Sequence, residues 1–221
     1  MTNLDPIHFY FDFISHNAFI AWTQIHALAA RHGRSVEPVP VLFAAFLEAN
    51  GQLGPAEIPA KNTWMVRDVL RKSARLGLKM APPASHPFSP LLPLRAVSQP
   101  MDAHVRWRLI DRLFAAAWCE SRAIDQADVV SAVASGIGID GRACVAACAE
   151  PQAKQALREQ TDAALRAGVF GVPTMRVGQE LFWGYDDFPS LDAYLGGTDP
   201  LNRSELARWS RVQPSIQRRP R

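Results

Sequence analysis

The segment FYFDFISHNAFIAW, residues 9–22, carries an aromatic, apolar pattern up to Ser15-His16-Asn17 and then begins a new apolar rhythm. IHFYFDF (7–13) is a β-rich run, and beyond it Ala18, Trp22, Ile25 and Ala29 recur at steps of four, three and four. That spacing predicts one face of a helix, which Gly33 closes. Serine at the junction is among the preferred helix N-cap residues. VEPVPVLF (36–43) reads as a second extended segment, because Pro38 and Pro40 suit an extended or edge strand and cannot sit inside a helix.

The other end of the chain completes the pattern. In GVFGVPTMRVGQELFWGYDDFPSLDAYL (168–195), residues 174–177 and 180–182 read as short strands joined by a Gly178-Gln179 turn. Residues 187–195 then begin like a helix, with Asp186 or Asp187 near its N-cap. Strand, helix, strand followed by strand, strand, helix is the element order of a thioredoxin fold. Between the two ends, helical periodicity runs through 64–76, 101–118, 127–135, 140–149 and 151–167, with the proline-rich MAPPASHPFSPLLP separating the first from the rest. The expected architecture is an α/β thioredoxin fold with a large all-helical insertion. Residues 1–60 and 168–200 form the thioredoxin-like domain, 61–167 the insertion and 201–221 a basic tail. No Gly/Ser linker stands at either junction, so the insertion is expected to pack beside the sheet.

With 48% hydrophobic and 20% charged residues in 221, the composition is that of an ordinary soluble globular protein. No run approaches the ~18 apolar residues of a membrane span. Residues 1–20 carry Asp5 and Asp12 and lack the features of a secretory signal, so a cytoplasmic location and no membrane partner are expected. Cys119, Cys144 and Cys148 are too few for a disulfide framework and have no ligand-spaced histidines, so they read as reduced core residues and no metal site is expected. Of the net charge of +3, residues 202–221 supply +5 from six arginines and one glutamate, which leaves the body at −2. A nucleic-acid partner is therefore not expected. The tail reads as a solvated terminus, or else as Trp209 and its arginines laid over a neighbouring surface.

In a thioredoxin fold the turn between the first strand and the first helix is the redox site, normally Cys-x-x-Cys, because helix-start N–H groups and the helix dipole steady an anionic sulfur. Here those four positions are Ser15, His16, Asn17 and Ala18. With no sulfur of its own there, the protein needs a thiolate that arrives with a ligand, and glutathione is the natural candidate. A serine hydroxyl can cap the helix and face such a sulfur. Val172-Pro173 stands just before a strand, where this fold places a cis-proline whose preceding residue pairs with a peptide's main chain. His16 reads as an exposed helix-start histidine, with a local acid or base near pH 7 as the alternative.

FYFDFISHNAFIAW, GPAEIPAK, SHPFSPLLPLRA and GVFGVPT…ELFWGYD, in this order over about residues 7–196, together resemble the 2-hydroxychromene-2-carboxylate isomerases. These are relatives of the kappa-class glutathione transferases among DsbA-like thioredoxin folds. The resemblance implies that Ser15 hydrogen-bonds the glutathione sulfur and Lys61 contacts the tripeptide. It further implies that Val172 before Pro173 pairs with its main chain, and that Tyr185 and Asp186 hold its γ-glutamyl end. Gln52 stands where an Asn usually contacts glutathione, Ser89 replaces an Asn, and Ser15-His16-Asn17-Ala18 replaces Ser-Pro-aromatic-Ser. His16, Trp64, Phe88 and Trp183 would line the pocket for a small aromatic 2-oxo or 2-hydroxy acid, and the protein would be a homodimer. The implied reaction is isomerisation of 2-hydroxychromene-2-carboxylate to trans-o-hydroxybenzylidenepyruvate, in aromatic catabolism, by transient thiolate addition. A kappa-like transferase or peroxidase and a non-catalytic thioredoxin-fold binding module are the alternatives.

Overall fold

The computed structural model describes residues 4–216. Strand β1 (Ile7–Phe11) leads through a short loop to helix α1 (His16–Arg31) and then to β2 (Val36–Pro40), which lies parallel to β1. The hairpin of β3 (Thr174–Val177) and β4 (Glu180–Trp183) adds antiparallel strands on the other side, giving the order β2-β1-β3-β4. Gly178 makes the tight turn with φ +59°, a conformation glycine adopts without strain.

Alternation along β1 separates two cores. Ile7, Phe9 and Phe11 face α1 and helix α5 (Ala103–Trp118), where the Phe114 ring lies 5.6 Å from Phe11 and 4.7 Å from Phe13. Tyr10 points to the opposite face, packing with Val41, Phe46, Ala164 and Val169. That second face is covered by α2 (Phe43–Ala49) and α8 (Pro151–Arg166). Helices from the middle of the chain therefore clothe both sides of the sheet.

Several boundaries differ from the sequence reading. The extended segment stops at Pro40 rather than 43, and Phe43 already opens α2, which the proline pattern concealed. Helix α3 (Pro59–Leu76) begins five residues before the expected 64, because Pro59 fits its first turn. Helix α4 (Leu91–Ser98) was hidden in the proline-rich stretch; its Pro93 sits in the first turn, where no intrahelical N–H is required. Helices α6 (Ala127–Ser135) and α7 (Gly141–Ala147) follow the expected periodicity closely. Cys144 and Cys148 are buried in the first core, with Gln99 Nε2 3.2 Å from Cys148 Sγ.

Tyr185–Asp187 forms a 3₁₀ turn that runs straight into α9 (Phe188–Leu195). Asp187 stands at the N-cap position, yet its carboxylate accepts from the Trp183 N–H at 3.1 Å instead of capping the helix. In the tail, α10 (Arg203–Trp209) is a short helix, and Trp209 is 74% exposed, so it is not laid over a neighbouring surface. Residues 217–221 of the tail lie outside the described residues. Among the described residues no helix is long and apolar enough to cross a membrane.

Candidate active site at the start of the first helix

The loop between β1 and α1 is fixed from beneath by a buried acid. Asp12 is fully buried; its Oδ1 accepts from the Ile14 N–H at 3.1 Å and its Oδ2 from the Phe43 N–H at 2.9 Å, which ties this loop to the start of α2. Burial pushes its carboxyl up to about 7, against the opposing pull of the Phe43, Ile14 and Phe13 N–H groups. Ser15 follows as the N-cap of α1, its Oγ accepting from the Ala18 N–H at 3.1 Å. Accepting that bond leaves the hydroxyl proton free to donate outward. No acidic residue occupies the first turn of α1, so the positive end of the helix is uncompensated there.

The Gly171-Val172-Pro173 segment arrives at the same end of the sheet. The ladder pairs Tyr10 with Thr174, so Val172, two residues earlier, comes alongside Asp12. The Val172–Pro173 peptide is cis. The Pro173 carbonyl accepts from the Gly184 N–H at 2.8 Å, whereas Val172 has no backbone hydrogen bond among the described residues. Its N–H and C=O can therefore take a ligand's main chain. Trp183 lies across this segment: a Cβ at Gly171 would come 2.7 Å from Trp183 Nε1, and the Phe170 and Trp183 rings pair at 5.3 Å on the surface.

A third group reaches the mouth from α3, and the sequence reading missed it. Lys72 is 3% exposed, with its Nζ 2.6 Å from Asp186 Oδ2, 2.8 Å from Asp68 Oδ2 and 3.4 Å from Asn17 Oδ1. Burial pushes the ammonium pKa down, but the bonds and charges of Asp186 and Asp68 outweigh it and hold Lys72 protonated. Asp186 is thus already ion-paired, not a free carboxylate. A signal was present: Met65, Val69, Lys72 and Leu76, at steps of four, three and four, put this lysine in the middle of the apolar stripe of α3. A groove of about 610 Å³ runs from Lys72, Tyr185 and Asp186 along α1 to Arg31 and Asp192.

His16 is not the exposed helix-start residue expected. It is half-buried, and both ring nitrogens are covered without a hydrogen-bond partner among the described residues. Its ring meets Trp118 at 5.8 Å and His86 at 6.5 Å, with Phe88 6.3 Å from Trp118 behind them. Burial first, then the charges of His86 and Lys72, push its pKa down to about 4 against a smaller opposing effect of Asp68, so it is no acid or base near pH 7. The loop carrying His86 folds back over the helix mouth, which the sequence pattern does not reveal.

Ser15, Asn17, Lys72 and Asp186 are therefore joined at one end of α1, with His16, His86, Phe88 and Trp118 beside them. Tyr185 lines the groove, and Trp183 flanks Val172 and Pro173. Lys61, Gln52 and Trp64 lie apart, all exposed at or just before the start of α3 and without side-chain hydrogen bonds to that cluster. Lys61 is eleven residues before Lys72, about 16 Å along the helix axis.

The pattern of the DSBA-like thioredoxin domain matches residues 6–196, nearly the whole folded body. The chain belongs to that DSBA-like family. Within it, this chain is 28% identical over 192 residues to the 2-hydroxychromene-2-carboxylate isomerase of Pseudomonas putida, covering 86% of this chain and 94% of that one. It is also 23% identical over 215 residues to the glutathione S-transferase kappa 1 of Caenorhabditis elegans, covering 91% and 95% of the two chains. Among solved structures, a 2-hydroxychromene-2-carboxylate isomerase superposes with a TM-score of 0.80 at 25% identity, covering 92% of this chain and 97% of the other. The DSBA-like fold is thus shared with isomerase and transferase relatives alike, and in this chain its helix mouth carries a hydroxyl rather than a thiol.

Proposed function

We propose that this DSBA-like chain is a glutathione-dependent isomerase of 2-hydroxychromene-2-carboxylate, forming trans-o-hydroxybenzylidenepyruvate. The observation that carries the reading is Ser15, a capping serine with a free O–H at an uncompensated helix start where the chain has no cysteine. The main chain of Val172, without a backbone hydrogen bond among the described residues, suits a tripeptide's main chain. Asp68, Lys72 and Asp186 together carry one net negative charge, which favours the γ-glutamyl ammonium, while the N–H groups of Tyr185 and Asp186, which have no backbone acceptor among the described residues, suit its carboxylate. Lys61 is assigned to the glycyl carboxylate and Gln52 to a further polar contact with the tripeptide. The similarity to three curated isomerases supports the reaction, and the kappa relative supports the choice of thiol.

Glutathione, once bound, would supply a thiolate able to add reversibly to the conjugated alkene of the ring-opened substrate. The chain's own work is to hold that sulfur ionised, through the Ser15 O–H and the first N–H groups of α1, and to present the alkene beside it. Half-buried Phe88 and exposed Trp183, with Trp64 further out, offer apolar surface for an aromatic ring.

Ser15→Ala tests this directly. The tripeptide's charged ends bind elsewhere, so affinity for glutathione by calorimetry should stay near the parent's. The thiol pKa of bound glutathione, followed by thiolate absorbance, should rise, and isomerisation should slow by about 2.7–4 kcal/mol, roughly a hundred- to thousandfold. A variant that only melts lower, by about 1 kcal/mol, and titrates and turns over like the parent would reduce Ser15 to a helix cap. Glutathione consumed with every turnover would replace the isomerase by a transferase.

A further inference from the structure

His16 is the first residue of α1, directly after Ser15, and its two ring nitrogens are buried side-chain atoms without a hydrogen-bond partner among the described residues. A neutral imidazole carries one N–H donor and one bare nitrogen acceptor, and buried polar atoms in folded proteins are almost always matched. Here the surroundings are rings, not partners: Trp118 meets His16 at 61° and His86 lies nearly parallel to it at 10°. The cover on the His86 side is a surface side chain. His86 is an exposed loop residue with one side-chain hydrogen bond among the described residues, Nε2 to the Ile14 carbonyl at 3.1 Å, and its ring packs 5.7 Å from Trp118 and 6.4 Å from Phe88, so a ligand can reach His16 by displacing this loop side chain rather than a core one.

We propose that His16 is a catalytic residue which donates its ring N–H to the ketone oxygen of a 2-oxo acid substrate while that oxygen carries negative charge. The inference rests on the isomerase reading. In that reaction the hemiketal first opens, its ring C–O bond breaking as its hydroxyl proton passes to the phenolate oxygen. As the C–S bond then forms, the alkene π pair becomes the enolate C=C and the carbonyl π pair goes onto the ketone oxygen, and both return as the C–S bond breaks, so no proton is gained or lost overall. The group facing the oxygen must lend a hydrogen bond and keep its proton. A neutral imidazole meets both requirements, as a weak acid with a directed N–H. An imidazolium would protonate the oxygen or pair with the sulfur.

The charged and titratable groups around His16 keep it in that form. Burial, the facing His86 and the Lys72 ammonium of α3 all disfavour the imidazolium, and Asp68 opposes them more weakly. Asp186 meets this cluster only through Lys72. His86 is itself held below its ordinary range by burial. Turnover should accordingly show no step from this residue around pH 6–7.

The test joins spectroscopy to kinetics. Long-range ¹H–¹⁵N spectra of the His16 ring are recorded with phenylglyoxylate, an aromatic 2-oxo acid with no alkene, and with benzoate, which lacks the ketone. Phenylglyoxylate should shift the His16 nitrogens and benzoate should not. His16→Ala should keep glutathione affinity and lose roughly a hundred- to thousandfold in turnover. His16→Gln, which retains an N–H donor, should recover about tenfold or more of that loss. The inference is overturned by parental turnover in His16→Ala, by a loss that follows glutathione affinity or folding, or by equal responses to the two probes. If the parent isomerises nothing while the ring still distinguishes the probes, the isomerase reading fails and the 2-oxo site stands.

Discussion

Asp12 beneath the site makes stability depend on pH in a direction unusual for a carboxylate. An ordinary aspartate titrates near 3.8, and this one at about 7, because burial outweighs the N–H groups it accepts from. Between those values the folded chain holds a proton that the unfolded chain has released. Stability from the neutral acid is therefore full below the unfolded value and falls as pH rises toward the folded one. Asp12→Asn cannot ionise, so it should flatten that slope. Thermal midpoints measured at about pH 5 and about pH 8 should drop further in the parent than in the variant, and parallel slopes would refute the assignment. Asp12 was visible in the sequence only as a charge ending an aromatic run; its burial follows from α2 closing over it through Phe43, a contact between residues 31 apart.

At the scale of elements, α3 depends on a polar contact for its attachment. Of its eighteen residues only Val69, Lys72 and Ser73 are buried, so apolar packing holds it weakly. Lys72 fastens it to α1 through Asn17 and to the turn before α9 through Asp186. Lys72→Met should lower stability by about 1.5–3 kcal/mol, the range for hydrogen bonds to charged groups. The value stays below that of a deeply buried pair because Asp186, 74% exposed, can be rehydrated. Hydrogen exchange should quicken across residues 59–76 more than in α5. Uniform acceleration in both helices would show that Lys72 acts on the whole fold rather than on this attachment. The periodicity of α3 was legible, and so was the place of Lys72 within its apolar stripe. Its i,i+4 spacing from Asp68 was legible too, but its partner Asp186 was not, since it is 114 residues away and joins only when the ends of the chain meet.

For the whole molecule, the position of the inserted helices has a thermodynamic consequence. Phe114 of α5 lies against Phe11, Phe13, Phe19 and Trp22, so the sheet and the insertion share one core. Phe114→Ala should cost about 3–5 kcal/mol and lower the unfolding of sheet and helices together, seen as one transition by far-ultraviolet and tryptophan signals. Two separated transitions would contradict a shared core. The tail differs: residues 201–216 are exposed apart from Glu205, so a chain ending at residue 200 should melt and turn over as the parent does. The sequence by itself determined the strands, α1, the Ser15 cap and the thioredoxin order, because each rests on local periodicity and on what serine, glycine and proline permit within a few residues. Only the tertiary structure decided that Lys72 is buried against Asp186, that burial raises the Asp12 pKa, and that His16 is enclosed by Trp118 and His86. These depend on desolvation and on contacts between distant segments, and no spacing along a single segment encodes them.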